Sequence, residues 1–66
     1  MKNNLKRVRE EKGITLKRLS AFSGVSVTHL SMIENDQRNP TVLTAYRICR
    51  VLEKTIQEIF PEPQRY

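Results

Sequence analysis

Apolar residues recur along this chain in five short blocks, each opened by a residue that caps helices and closed by one that interrupts them. Leu5, Val8 and Arg9 fall at helical spacing after Asn3 and Asn4, either of which can cap. This block stops at Lys12-Gly13, where glycine tolerates a left-handed exit. Thr15 then caps a second helix, from about Leu16 to Ser23, with Ile14 and Leu19 spaced as a hydrophobic staple. Gly24 interrupts the pattern. Ser26 repeats the device, with Val25 stapled to Leu30, and opens a third helix at about Val27 to Glu34. The apolar stripe of this helix is narrow, Leu30 and Ile33 with Val25 at the entry, so Thr28, His29, Ser31 and Met32 fall on other faces.

The stretch from Asn35 to Pro40 is turn-rich and ends in a pre-proline position that disfavours helix, so it reads as a loop. Thr41 caps a fourth helix in which Val42, Ala45, Ile48, Cys49 and Leu52 form an inward stripe. Thr55 with Glu58 has the pattern of a capping box and opens a short apolar helix, Ile56 to Phe60, stopped by Pro61 and Pro63. No segment alternates apolar and polar residues long enough to suggest a strand, and no internal repeat occurs. The expected fold is all-α, with five short helices.

The expected organisation is one domain spanning 1–66, with a core at about 4–60, a short tail at 61–66 and no second, effector-binding domain within these 66 residues. A hydrophobic fraction of 38%, a charged fraction of 29% and only two glycines argue against disorder and fibrous repeats. Twelve Lys and Arg against seven Asp and Glu give a formal charge of +5, unevenly placed. Seven of the basic residues lie in 1–20 against two acids, and 21–66 balance at five of each. On charge alone, a nucleic-acid surface and a merely solvated face are both open. Cys49 is the only cysteine, which excludes an intrachain disulfide, and no apolar run approaches the roughly 18 residues of a membrane span. Met1-Lys2-Asn3-Asn4 does not open a signal peptide, so the expected location is the cytoplasm.

Two short helices joined by a tight glycine-containing turn make a helix-turn-helix, in which the second helix enters the major groove and the first crosses the backbone. The second and third blocks, with Gly24 between them, supply that pair. Free N–H groups at the starts of both helices can also meet phosphate oxygens.

The chain resembles the lambda-repressor-like, or Xre-type, helix-turn-helix regulators across roughly residues 4–60. The resemblance rests on Val8-Arg9-Glu10-Glu11-Lys12-Gly13-Ile14-Thr15, Leu19-Ser20, Ser23-Gly24-Val25-Ser26, Leu30-Ser31-Met32-Ile33-Glu34-Asn35, Arg38-Asn39-Pro40-Thr41 and Ile56-Gln57-Glu58-Ile59-Phe60. It implies a compact five-helix DNA-binding domain and a small regulator of transcription that binds double-stranded DNA. It also implies base-reading positions at Val27, Thr28, His29, Ser31 and Met32, and backbone contacts at Ser26, Asn35, Arg38 and Asn39. The family's common glutamine at the start of the second helix is Leu16 here, which leaves Lys17 or Arg18 to replace that contact. Arg9 and Glu34 match the family's buried ion pair between the first helix and the recognition helix; the alternative is two unrelated surface charges.

The first two turns of the recognition helix hold no Arg, Lys, Gln or Asn for bidentate contacts to guanine or adenine. Specificity is therefore expected from hydroxyls, from His29 and from contacts of Val27 and Met32 with thymine methyls. Val27 and Met32 could instead face the core, although Leu30 and Ile33 already fill the inward positions. Cys49 reads as a small buried hydrophobe, and His29 lacks neighbouring ligands for a metal. No cofactor is implied. One histidine, one inward cysteine, no glycine-rich phosphate loop and no paired carboxylates argue against an enzyme. A protein-interaction module of the same fold, an antitoxin-like partner or adaptor, is the rival that the uncharged recognition helix favours. A symmetric homodimer acting as a repressor on a palindromic operator is expected, because two half-sites about 34–36 Å apart need a two-fold partner. Ile56, Ile59, Phe60 and Tyr66 are the expected contact, with a large apolar side chain near Phe60 left exposed in the monomer.

Overall fold

In the computed structural model, which describes residues 3–61, five helices follow in order: α1 (Leu5–Glu11), α2 (Leu16–Ser23), α3 (Val27–Glu34), α4 (Val42–Leu52) and α5 (Ile56–Ile59). Among the described residues there is no strand. Four of the five starts are set by hydroxyl caps that each satisfy an orphan N–H of the first turn. Thr15 accepts from the Arg18 N–H, Ser26 from His29 and Thr41 from Thr44, each at 3.1 Å. Thr55 accepts from the Glu58 N–H at 3.2 Å while Glu58 Oε2 accepts from the Thr55 N–H at 3.3 Å, a reciprocal capping box. At the start of α1 the Asn3 side chain does this work, its Oδ1 accepting from the Leu5 N–H at 2.9 Å.

The turn between α2 and α3 is built from Ser23 to Ser26. Gly24 takes φ +77°, in the left-handed region where glycine carries no Cβ penalty, and its N–H returns to the Ser20 carbonyl at 2.9 Å. The buried Ser23 hydroxyl accepts from the Val25 N–H at 3.2 Å, so the backbone leaving the glycine is also satisfied. α2 packs against both α3 and α4, α4 against α5, and α1 against α3. Leu5, Leu19, Leu30, Ile33, Ile48, Leu52 and Ile59 are completely buried at the centre.

Two expectations are corrected. Val42 does not join the inward stripe and stands 54% exposed. It is the first residue of α4, where a helical side chain leans back over the preceding turn, and that turn is loop rather than core. Ile59 and Phe60 are buried and Ile56 is half-buried against the core, so Phe60 is not an exposed apolar handle. The reason is a long-range closure: the Asn4 N–H donates to the Ile59 carbonyl at 2.8 Å and Asn4 Nδ2 to the Glu58 carbonyl at 3.0 Å, drawing α5 against the start of α1. Phe60 is the residue after α5 rather than part of it, its N–H bonded to the Ile56 carbonyl. Tyr66 lies outside the described residues.

Candidate nucleic-acid interface

α3 is held at one end and open at the other. At its C-terminal end Arg9 Nε donates to Glu34 Oε2 at 2.6 Å and Arg9 Nη2 to Glu34 Oε1 at 3.4 Å, with side chains only 12% and 5% exposed. Arg9 Nη1 also donates to the Ile14 carbonyl at 2.8 Å. One guanidinium therefore joins α1, the link into α2 and the end of α3. Asn3 adds a second tie, its Nδ2 donating to the Ile33 carbonyl at 2.9 Å and to Asp36 Oδ1 at 3.2 Å.

At the N-terminal end of α3, Val27 is 43% exposed and Thr28 is exposed. His29, Ser31 and Met32 are half-buried, and Leu30 and Ile33 fill the core. Neither Val27 nor Met32 belongs to the buried core, which removes the core-facing alternative for them. Positions 27, 28, 31 and 32 follow helical spacing, so they share one side of α3. No acidic residue occupies the first turn of α2, α3 or α4, which leaves the positive ends of these helix dipoles uncompensated.

The flanking candidates are also in reach of solvent. Lys17, Arg18, Ser26, Asn35, Arg38 and Asn39 are all exposed, with Ser26 Oγ already engaged as the α3 cap. Leu16 packs against the core, so the position that carries glutamine in the family serves the interior here. Arg18 sits over the Phe22 ring, 5.9 Å from its centroid, and both it and Lys17 are exposed. The loop carrying Arg38 and Asn39 is pinned by Pro40, completely buried immediately after them. Neither the burial of Pro40 nor the bridging by Asn3 is encoded in the local pattern, because both depend on contacts far apart in the chain.

Cys49 is buried, and burial, aided by the negative charge of Glu58, pushes its thiol up to about 11. Among the described residues no group of three His, Cys, Asp or Glu side chains could hold a metal ion, and no helix is long and apolar enough to cross a membrane.

Comparison with known proteins matches this geometry to a family. The HTH_3 model, described as helix-turn-helix, matches residues 5–59. An uncharacterized HTH-type transcriptional regulator of Sinorhizobium fredii, y4dJ, is 44% identical over 50 residues, covering 76% of this chain and 65% of the relative. The HTH-type transcriptional regulator SutR of Escherichia coli is 33% identical over 64 residues, which are 97% of this chain and 36% of SutR. The chain thus spans just under two thirds of one relative and about a third of the other. Among solved structures, the N-terminal DNA binding domain of SinR from Bacillus subtilis is similar with a TM-score of 0.77 at 31% identity, covering 82% of this chain and 80% of that one. An HTH_3 family transcriptional regulator from Vibrio cholerae gives 0.80 at 31% identity, over 88% of this chain and 33% of that one. The family match runs from the first residue of α1 to the last of α5 with the α2–turn–α3 unit inside it, and the chain belongs to the helix-turn-helix family of lambda-repressor-like, or Xre, type.

Proposed function

We propose that this chain binds double-stranded DNA sequence-specifically and regulates transcription in the cytoplasm, α3 reading bases and the 35–39 loop with Lys17 gripping the backbone. The observation that carries the proposal is the asymmetric mounting of α3. Its C-terminal end is fixed by Arg9, Glu34 and Asn3, while Val27 and Thr28 stand exposed at a helix start with no acid beside it. Thr28 offers a hydroxyl, Val27 and Met32 offer apolar contact to thymine methyls, and Ser31 and His29 lie at the margin of the same surface.

Two copies would act together on a two-fold symmetric site, since one α3 fills only one groove. Ile56 is the α5 residue of the expected contact that keeps accessible surface, Ile59 and Phe60 being committed to the core.

A salt titration tests the reading. Affinity for duplex DNA should fall steeply with salt, and Arg38→Ala should weaken binding to all sequences alike while lowering the logarithmic salt slope by about one. Duplexes selected from a random pool should carry two half-sites separated by about one helical turn. Salt-independent binding, or no enrichment of any sequence, would refute DNA reading by this surface.

A further inference from the structure

α4 carries a second stripe on the side away from its core residues. Leu43, Tyr46, Arg47 and Arg50 follow one another at i, i+3, i+4 and i+7, and with Phe22 of α2 they border an open groove of about 720 Å³. Its floor is Ile14 and Val51, both packed on the core. Phe22 is 65% exposed, Leu43 57% and Tyr46 54%, a contiguous apolar surface of the kind that marks an interaction site. Two arginines line this groove and no carboxylate does.

We infer that this groove docks an acidic amphipathic helix from a partner protein. The groove opens too widely for a small ligand, which a site normally encloses over most of its surface. A helix laid along α4 would instead present apolar anchors at i, i+3 or i+4, and i+7 to Phe22, Leu43 and Tyr46. Charge selects the class of helix: Arg47 and Arg50 are placed to meet Asp or Glu on its flanks. The same charge opposes a second copy, because a two-fold contact over this groove would bring the arginines of one chain toward those of the other with no carboxylate in the lining. No residue of α3 or of the 35–41 loop lines the groove, so a partner seated there leaves the proposed DNA surface open.

The test pans a phage-displayed library of helical peptides against the folded chain with excess duplex DNA present. Enriched peptides should carry the apolar i, i+3 or i+4, i+7 pattern flanked by Asp and Glu. Their affinity should fall by about tenfold or more both in Leu43→Ala/Tyr46→Ala and in Arg47→Glu/Arg50→Glu, the residues that anchor and select. Amide shifts in a two-dimensional NMR spectrum should cluster on α4 and the end of α2, and the apolar double variant should keep the parent's DNA affinity. All these side chains are exposed, so the variants fold, which their circular dichroism verifies. Failure to enrich any peptide, enrichment without an acidic bias, insensitivity to both variants, or shifts on α3 that DNA abolishes would each overturn the inference. Self-association lost in Leu43→Ala/Tyr46→Ala would overturn it in favour of a second copy. Peptide enrichment, its acidic bias and its loss in the variants are read independently of the salt titration, so the two proposals fail separately.

Discussion

Replacing Glu34 with alanine removes both hydrogen bonds that its carboxylate accepts from Arg9 and leaves the guanidinium with one partner, the Ile14 carbonyl. With the Arg9 side chain only 12% exposed, water cannot restore what is lost. Breaking a buried pair from one side costs about 3–5 kcal/mol, and the surviving carbonyl contact places Glu34→Ala near about 3. Arg9→Met belongs near about 4, since it strands a carboxylate that is 5% exposed and also frees the Ile14 carbonyl. A chain of 66 residues has about 3–10 kcal/mol of total stability, so either change approaches the limit of folding. At about 4–8 °C per kcal/mol, Glu34→Ala should lower Tm by about 12–24 °C in a circular dichroism melt. The double variant Arg9→Met/Glu34→Leu should recover most of the loss, to within about 1–2 kcal/mol of the parent, because no charge is then buried alone. A Glu34→Ala melt within about 2 °C of the parent, or a double variant no better than the singles, would refute the reasoning.

Thr28→Ala and Met32→Ala should each weaken binding to a selected duplex by about 1–3 kcal/mol and leave random duplexes nearly unaffected; equal losses on both would remove them from base reading. The Cys49 thiol, raised to about 11 in the fold from an ordinary 9.0, should resist a thiol reagent at pH 8 until the chain unfolds. Because the folded value is the higher, its stabilisation is complete below the unfolded thiol's pKa and is lost as pH rises from about 9 to about 11. The parent's stability should therefore fall across that window relative to Cys49→Ala, by about 1.4 kcal/mol per unit, and parallel curves would contradict it. Gly24→Ala should cost about 1 kcal/mol from its positive φ alone, since nothing lies within 4 Å of an added Cβ, and Gly24→Asn should cost less; a larger loss in denaturant titration would reveal a steric role.

The sequence was most legible where structure is local. Thr15, Ser26, Thr41 and Thr55 announce helix starts because a capping hydroxyl acts within three residues, and the bounds of α2 and α3 follow from these caps and Gly24. The candidate surface was legible to the extent that Leu30 and Ile33 take the inward side of α3 and leave positions 27, 28, 31 and 32 for the other. What escaped depends on contacts between distant residues. Burial of Phe60 follows from the docking of Asn4 onto Glu58 and Ile59, and nothing in helical periodicity encodes that pairing. The exposed stripe of α4 was hidden for a related reason: Leu43 and Tyr46 are apolar, and only the absence of a covering element among the described residues makes them surface. Asp36 and Glu53 take positive φ, 58° and 56°; aspartate is among the types enriched there, whereas a glutamate gives little warning of it.

The pairing of Asn4 with Glu58 and Ile59 also has a mechanical meaning. It fastens the beginning of the described chain to its end, so polypeptide joined on either side would depart from one neighbourhood. Tension applied between those two attachments would load the bonds at 2.8 and 3.0 Å before it pulled on any helix axis. Since Asn3, the adjoining residue, holds the Ile33 carbonyl, slack or strain at this fastening would reach the C-terminal end of α3 directly.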